Sequence, residues 1–324
     1  MKIIYLLGGS GYIGSTITYL LHESGYRVIN LDLVNWNSPM IDALSHVTWY
    51  PTNVEDWMDL SETYKQLILD NHGDENFGLI HLAAWKDLPG SYQNPFEYYR
   101  NNIQGSINAA QLAHMLGCKT MIFSSSAGVY ADDAVGAVDE SYSTDCGSPY
   151  GYSKVVGERI ISDICRQYNI DSYCLRYCNP IGTFEGVSVD NSDSMFGNIL
   201  NHLDDGKFTI FGNDWDTPDG TCIRDYIDIR DIAKAHIHFL NLSNSFIVND
   251  IVNVGTGKGV SCKLACDTVK TIYPKFTYNF GPSRTGDAAG SYADITKLSK
   301  YGFKCKYSLS DSIKSLIDYH LRNH

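Results

Sequence analysis

The chain is short of positive charge. Lys and Arg total 25 against 37 Asp and Glu, a formal net charge of −12. A broad basic face for nucleic acid is therefore excluded, and an anionic ligand would need its own local cations. No Cys-x-x-Cys pair occurs. The nine cysteines, at 118, 146, 165, 174, 178, 222, 262, 266 and 305, are odd in number and irregular in spacing. That fits neither a disulfide framework nor a zinc site, and reads as reduced thiols of a cytosol-like compartment. No run of 18 apolar residues is present, and the apolar start of the chain stops at Gly8. Such a stretch is too short for a signal peptide or a membrane span, so the expectation is a soluble, cytoplasmic protein that meets no membrane. Nine prolines and 28 glycines in 324 residues exclude a collagen-like or Pro/Gly-rich chain. A hydrophobic fraction of 44% excludes wholesale disorder. Internal repeats and low-complexity tracts are also missing. At roughly 150 residues per domain, the length implies two domains or one large domain with a lobe.

What the chain does have is alternation. Short β-rich runs at 3–7, 26–31, 47–50, 79–82, 120–123 and 172–176 are separated by helix-length amphipathic stretches, among them 12–25, 56–71, 93–116 and 150–168. Strands alternating with helices imply βαβ units. The fold class is α/β, a doubly wound parallel (Rossmann) sheet with a smaller α/β C-terminal lobe. The second half is less regular: 183–193 is a polar loop, 212–222 is turn-rich, and helices are expected at 231–241, 261–273 and 308–322 with a strand at 251–254. A soft domain boundary is placed at 180, giving 1–180 and 181–324.

Gly8-Gly9-Ser10-Gly11-Tyr12-Ile13-Gly14 follows the first strand and opens a helix. That context suits close backbone approach to a pyrophosphate whose charge rests on the helix N-terminus. Asp32 ends the second strand, where a carboxylate can accept both adenosine ribose hydroxyls and would repel a 2′-phosphate. No arginine follows closely, so NAD is favoured over NADP. Further on, Tyr150 and Lys154 share one helix face at i, i+4. A tyrosine near pKa 10 is a poor base at neutral pH. A neighbouring ammonium together with an oxidised nicotinamide would favour the phenolate, which suits abstraction of a proton from a sugar hydroxyl. Ser124-Ser125-Ser126 follows the fifth strand, at the carboxyl edge where such sheets bind ligands, so Ser126 is placed to hydrogen-bond the reacting oxygen.

Together these residues resemble the UDP-galactose (UDP-glucose) 4-epimerase family of extended short-chain dehydrogenase/reductases, over nearly the whole chain from Lys2 to about residue 322. The most specific pieces are GGSGYIG at 8–14, NPFEYYRNN at 94–102, IFSSSAGVY at 122–130, SPYGYSK at 148–154, LRYCNPIG at 175–182, IFGNDWDTPDGTCIRDYI at 210–227 and Arg284-Thr285-Gly286-Asp287. The resemblance implies an NAD-binding domain at 1–180 and a UDP-sugar-binding domain at 181–324. It makes Tyr150 the base, Lys154 the ribose-holding cation and Ser126 the hydroxyl partner of sugar O4. NAD contacts are implied at Gly8, Gly11, Tyr12, Ile13, Asp32, Asn53, Val54, Leu82, Ala83, Ala84, Lys86, Asn101, Ser124, Tyr150, Lys154 and Tyr177. Substrate contacts are implied at Ser126, Tyr150, Asn179, Phe211, Arg224, Arg284, Asp287 and Ser291. Arg224 and Arg284 match the arginines that clamp the UDP diphosphate, for which bidentate guanidinium forks are suited. The implied reaction is reversible C4 epimerisation of UDP-hexoses through a 4-keto sugar, with NAD tightly held and no metal. The implied assembly is a homodimer packed through the helices at 93–116 and 150–168.

The chain departs from the family pattern at several positions. Leu7 stands for a common Thr, Asn53 for an Asp near adenine, Cys178 for a Phe near the nicotinamide, and Gly128 for a Thr near the sugar. Ser291 stands where glucose/galactose-only members carry Tyr. Its small volume leaves room beside the sugar C2 group for an acetamido substituent, unless a neighbour such as Tyr292 refills it, so UDP-GalNAc/UDP-GlcNAc are expected substrates too. Two readings compete. A UDP-sugar 4-reductase or 4,6-dehydratase uses the same scaffold, but a dehydratase needs an Asp-Glu pair after the active-site hydroxyl and Ala127-Gly128 stand there. A non-catalytic NAD-binding regulator would lack the Tyr or the Lys.

Overall fold

The computed structural model describes residues 1–36, 38–71, 73–184, 187, 194–242, 246–283 and 289–323. Its centre is a seven-stranded parallel sheet. Five of its strands are β1 (Lys2–Leu7), β2 (Arg27–Asp32), β3 (Val47–Pro51), β4 (Glu75–His81) and β5 (Thr120–Ser126). The spatial order is Asn249–Val254, Asp171–Tyr177, β5, β4, β1, β2, β3. β1 pairs with β2 from Ile3↔Arg27 to Leu7↔Leu31 and with β4 on its other side. Ile3 to Leu7 are all buried, as a central strand covered on both faces requires. The chain order reverses beside β1, so the carboxyl ends of β1 and β4 flank the crevice where such sheets take ligands.

Two compact units emerge: Met1–Ala131 with Ser143–Arg176 and Ala233–Val252, and Asp132–Tyr142 with Tyr177–Ile232 and Asn253–His324. The first has a core of sheet residues (Tyr5, Leu79, Met121, Phe123) against helix residues Ala109, Leu112 and Ile161. The second has its own core around Phe208, Tyr226, Phe276 and Ile313. The units do not follow one cut in sequence, because 132–142 and 233–252 each belong with the other half.

Most expected elements of the first half are present within a residue or two, and β4 begins four residues earlier, at Glu75. The stretch 93–116 differs. It is a short helix Pro95–Tyr99, a π turn Arg100–Gln104 and a helix Gly105–Met115. In the second unit, the two-stranded pairings Phe208–Phe211 with Tyr278–Gly281 and Ile223–Arg224 with Val260–Ser261 carried no readable pattern. They are too short for a period of two to show. Among the described residues no helix is long and apolar enough to cross a membrane.

Candidate active site

The glycine turn is built by three distinct demands. Gly8 has φ +84°, and a Cβ on it would sit 2.6 Å from the Ala83 nitrogen. A Cβ on Gly14 would sit 2.3 Å from the Gly8 carbonyl oxygen. Those two close the turn on itself. At Gly11 the nearest protein atom is 3.6 Å away, so no protein packing demands a glycine there. The bare Cα opens outward at the N-terminus of the helix α1 (Tyr12–Glu23), whose first turn carries no acidic residue. Backbone N–H groups over a volume that a Cβ would fill, with the positive end of a helix behind them, fit a pyrophosphate. The turn is held from outside by residues that sequence reading missed. Gly9 N–H donates to Asn30 Oδ1 at 2.8 Å, Asn30 Nδ2 donates to Ser10 Oγ at 2.8 Å, and Trp36 Nε1 donates to the Gly9 carbonyl at 2.9 Å. A polar Asn30 inside an apolar strand was the available signal.

Asp32 ends β2 beside this turn. It accepts from Ser10 N–H at 2.9 Å and Val34 N–H at 3.3 Å. Burial pushes its carboxyl above the usual value, and these N–H groups pull it part of the way back. Asn53 Oδ1 accepts from Glu55 N–H at 3.2 Å, leaving one lone pair for an outside donor. Val54 is buried, and its carbonyl accepts from Asn108 Nδ2 at 2.8 Å. Leu82 and Ala83 both donate N–H to the Leu7 carbonyl, which lays the segment Leu82-Ala83-Ala84 against Gly8. Lys86 is exposed beyond it, and Asn101 lies in the π turn. Tyr12 and Ile13 form the first turn of α1.

The helix Pro149–Gln167 delivers the Tyr-Lys pair. Pro149 stands at its first position, and the Ser148 side chain caps it by accepting from Gly151 N–H. Ser126 Oγ and the Tyr150 ring border one point, 3.3 and 3.6 Å from a Cβ built on Gly128. Lys154 is 4% exposed, and its Nζ donates to the Ser124 carbonyl at 2.8 Å and lies 4.9 Å over the Phe123 ring. Burial lowers Lys154 from 10.5 to about 8, with Glu158 opposing. The expected activation of Tyr150 differs in one respect. Burial holds the phenol above its ordinary value, the nearby Ser126 hydroxyl pulls it down, and Tyr98 adds to the rise. Lys154 is engaged with Ser124, so the residues present do not by themselves deliver a phenolate.

Behind the pair lies a polar network that sequence reading also missed. Glu158 takes two bonds from Arg176, at 2.8 and 2.7 Å, and one from Ser125 Oγ at 2.5 Å. Both charged residues are under 5% exposed. Ser124 Oγ lies 3.3 Å from His236 Nε2. His81, at the end of β4, is buried beside Phe123 and is pushed down to about 3 by burial and by Lys154. Gly128 lies where a Cβ would be 3.3 Å from Ser126 Oγ and 3.6 Å from Tyr150 Cε1. A Thr there would press on Ser126 Oγ and touch the Tyr150 ring at ordinary contact distance.

The second unit carries the remaining candidates. Tyr177 opens its middle segment and Cys178 is buried, its thiol pushed well up. Asn179 is exposed and donates Nδ2 to the Asp225 carbonyl at 3.2 Å. Phe211 is exposed at the end of its strand, and Arg224 Nη1 donates to the Ile223 carbonyl at 2.7 Å. Arg284 and Asp287 lie outside the described residues. Ser291 opens the strand Ser291–Ala293, paired with Gly136–Val138. Tyr292 packs its ring over Gly259, whose Cβ position is 2.8 Å from Tyr292 Cδ1. Adjacent strand residues face opposite ways, so that ring is not turned back over Ser291.

Residues 4–255 match the model of the NAD dependent epimerase/dehydratase family. The chain belongs to that family. Within it, the chain is a member of the UDP-galactose/UDP-glucose 4-epimerase group of extended short-chain dehydrogenase/reductases. It is 31% identical to the UDP-glucose 4-epimerase of Lactobacillus helveticus, covering 97% of this chain and 94% of that protein. The Stenotrophomonas maltophila UDP-glucose-4-epimerase, solved with NAD and formylated UDP-arabinopyranose, superposes with a TM-score of 0.88 at 25% identity, covering 100% and 99% of the two chains. The UDP-N-acetylglucosamine 4-epimerase of Methanobrevibacter ruminantium M1, solved with UDP-N-acetylmuramic acid, gives 0.85 at 26% identity over 100% of both.

Proposed function

We propose that the chain is an NAD-dependent epimerase that inverts C4 of UDP-hexoses. The observation that carries this is the Tyr150 phenol beside Ser126, with buried Lys154 one turn on, on the unit that also holds the Gly11 cradle and Asp32. Gly8, Gly11, Tyr12, Ile13, Asp32, Asn53, Val54, Leu82 to Ala84, Lys86, Asn101, Ser124 and Tyr177 would hold NAD, which when bound would supply a reversible hydride acceptor for C4. Tyr150 takes the 4-hydroxyl proton and Ser126 holds the oxygen that loses it. Tyr150 returns the proton when the 4-keto sugar is reduced on its other face. Lys154 supplies a buried positive charge that, with the oxidised nicotinamide, offsets the burial that holds Tyr150 protonated. The 1–180 half is assigned to NAD. The 181–324 half is assigned to the UDP-sugar through Phe211, Arg224, Arg284 and Asp287, with Asn179 just ahead of it as a further substrate contact and the two arginines on the diphosphate.

Ser291 widens the sugar site, and the N-acetylhexosamine pair is assigned as a second substrate pair. Tyr292 packing over Gly259 supports this, because the nearest candidate to refill the space faces elsewhere. We assign the protein to the cytoplasm, which nine irregularly spaced cysteines without a Cys-x-x-Cys pair support. We also assign it a homodimer through the Gly105–Met115 and Pro149–Gln167 helices, which exposed Phe96, Tyr152 and Tyr168 near them support.

The test mixes protein with equal UDP-galactose and UDP-N-acetylgalactosamine, without added cofactor, and follows both anomeric signals by proton NMR. Both are expected to convert to their gluco epimers. Conversion of UDP-galactose alone sinks the Ser291 assignment. Silence of both, with NAD added, sinks the epimerase reading. Tyr150→Phe is expected to retain NAD and lose most turnover; a near-normal rate removes Tyr150 as the base.

A further inference from the structure

The Gly9–Ser10 peptide of the glycine turn is held at both ends by one short stretch of chain. Its carbonyl accepts from Trp36 Nε1 at 2.9 Å, and that bond is buried. Its N–H, on Ser10, donates to Asp32 Oδ2 at 2.9 Å. Ser10 Oγ donates to the Val34 carbonyl at 2.6 Å. The segment from Asp32 to Trp36 is thus laid back over the turn by three bonds. Trp36 is its buried end, whereas Leu33 and Val34 are exposed. Its backbone is fixed as well, since Trp36 N–H donates to Asn35 Oδ1 at 2.8 Å.

This peptide needs such a hold. A side chain on Gly9 is barred, because its Cβ would lie 2.3 Å from Asn30 Oδ1. Glycine backbone has wide rotational freedom, so the Gly9–Ser10 peptide can turn over as a unit and exchange the directions of its C=O and N–H. The turned form reverses that dipole within two residues of Gly11, and a reversed dipole opposes an anion in the cradle. Indole is the neutral side chain that has an N–H and no acceptor. It bonds a carbonyl and cannot bond an N–H, so it stabilises one orientation of the peptide. A glutamine amide would serve both. An ionised Asp32 is the complement, since it only accepts. A donor-only group on the C=O and an acceptor-only group on the N–H fix the direction of one peptide. Trp49 repeats the device nearby, donating Nε1 to the Asp32 carbonyl at 3.1 Å.

We propose that Trp36 is a positioning residue for the cofactor, whose indole locks the Gly9–Ser10 peptide in the orientation that leaves the Gly11 cradle open to the pyrophosphate. This rests on the assignment of the turn to NAD and deepens it. By linkage, bound NAD strengthens the Trp36 bond in return.

The test compares wild type with Trp36→Phe and Trp36→His. Both rings are smaller than indole, but only imidazole carries an N–H. Each protein is read as purified, for urea midpoint, for NAD released by acid per mole of chain, for the rate at which bound NAD exchanges with labelled NAD, and for kcat and KM with UDP-galactose in excess NAD. Trp36→Phe is expected to release NAD about tenfold faster, the scale of one buried acceptor left unmade. Its kcat and KM in excess NAD are expected to stay within about twofold of wild type, because the residue acts on cofactor binding alone. Trp36→His is expected to release NAD at least about threefold more slowly than Trp36→Phe at a similar urea midpoint. Equal release rates in the two variants overturn the proposal and leave Trp36 a packing residue. So does a fall in kcat in excess NAD with the release rate unchanged. If neither variant folds, the wild-type holoenzyme decides by indole hydrogen exchange, with the other four indoles assigned by single substitutions. The Trp36 N–H is expected to exchange no faster than NAD departs; exchange that outpaces NAD release overturns the proposal. A wild type that binds NAD but does not convert UDP-galactose counts against the epimerase reading alone, and the release rates still judge Trp36. A wild type that binds no NAD ends the cofactor assignment and this role of Trp36 together.

Discussion

At the residue scale, glycines in one motif do different work, and the difference is measurable. Gly11→Ala adds a Cβ whose nearest neighbour is 3.6 Å away. It is expected to leave the denaturation midpoint within error of wild type and to abolish NAD retention. Gly14→Ala drives a Cβ into backbone at 2.3 Å, and is expected to lower stability and cofactor content together. Equal effects from the two changes would contradict this division. His81 makes a pH prediction. Its folded-state pKa is lowered from 6.5 to about 3. The unfolded chain therefore takes up the proton first as pH falls. Stability is untouched above 6.5 and is lost between there and 3, at up to about 1.4 kcal/mol per pH unit. In urea titrations at pH 7 and pH 5, His81→Leu is expected to lose less stability than wild type between the two. Identical losses would remove His81 as the source.

At the element scale, the helix Pro149–Gln167 is fixed by contacts that admit no side chain at one point. A Cβ on Gly157 would lie 2.7 Å from Phe123 Cζ and 3.0 Å from Ser106 Oγ. Both neighbours are buried. Gly157→Ala is expected to cost about 1–3 kcal/mol in a urea titration, the usual penalty of overpacking, despite the better helix propensity of alanine. A stabilised variant would show that the helix can shift. This helix was legible beforehand, since Ser148 and Pro149 mark its start and Tyr150 and Lys154 fall on one face. Its partner helix was not. The run 93–116 reads as one amphipathic stretch, but the π turn breaks the register inside it, and a period of 3.6 cannot report an inserted residue. Glu158 was in plain view one turn beyond Lys154, yet its role depends on Arg176, and pairing between a helix and a strand is decided by packing.

At the scale of the whole molecule, light scattering is expected to give a mass near twice 36.2 kDa at micromolar concentration. A monomer mass would remove the homodimer. The glycine turn, Asp32, Ser126, Tyr150 and Lys154 could be read from the amino-acid sequence by itself, because each sits at a strand end or helix start whose local signals mark it. The parallel sheet could be read too, since strands buried on both faces are continuous apolar runs. Only the tertiary structure decided the network under Tyr150 and Lys154, the unit to which 132–142 and 233–252 each belong, and the direction in which Tyr292 turns. Those depend on which distant residues bury one another. Burial of a charge or an amide is a property of the packed chain, and no local pattern encodes it.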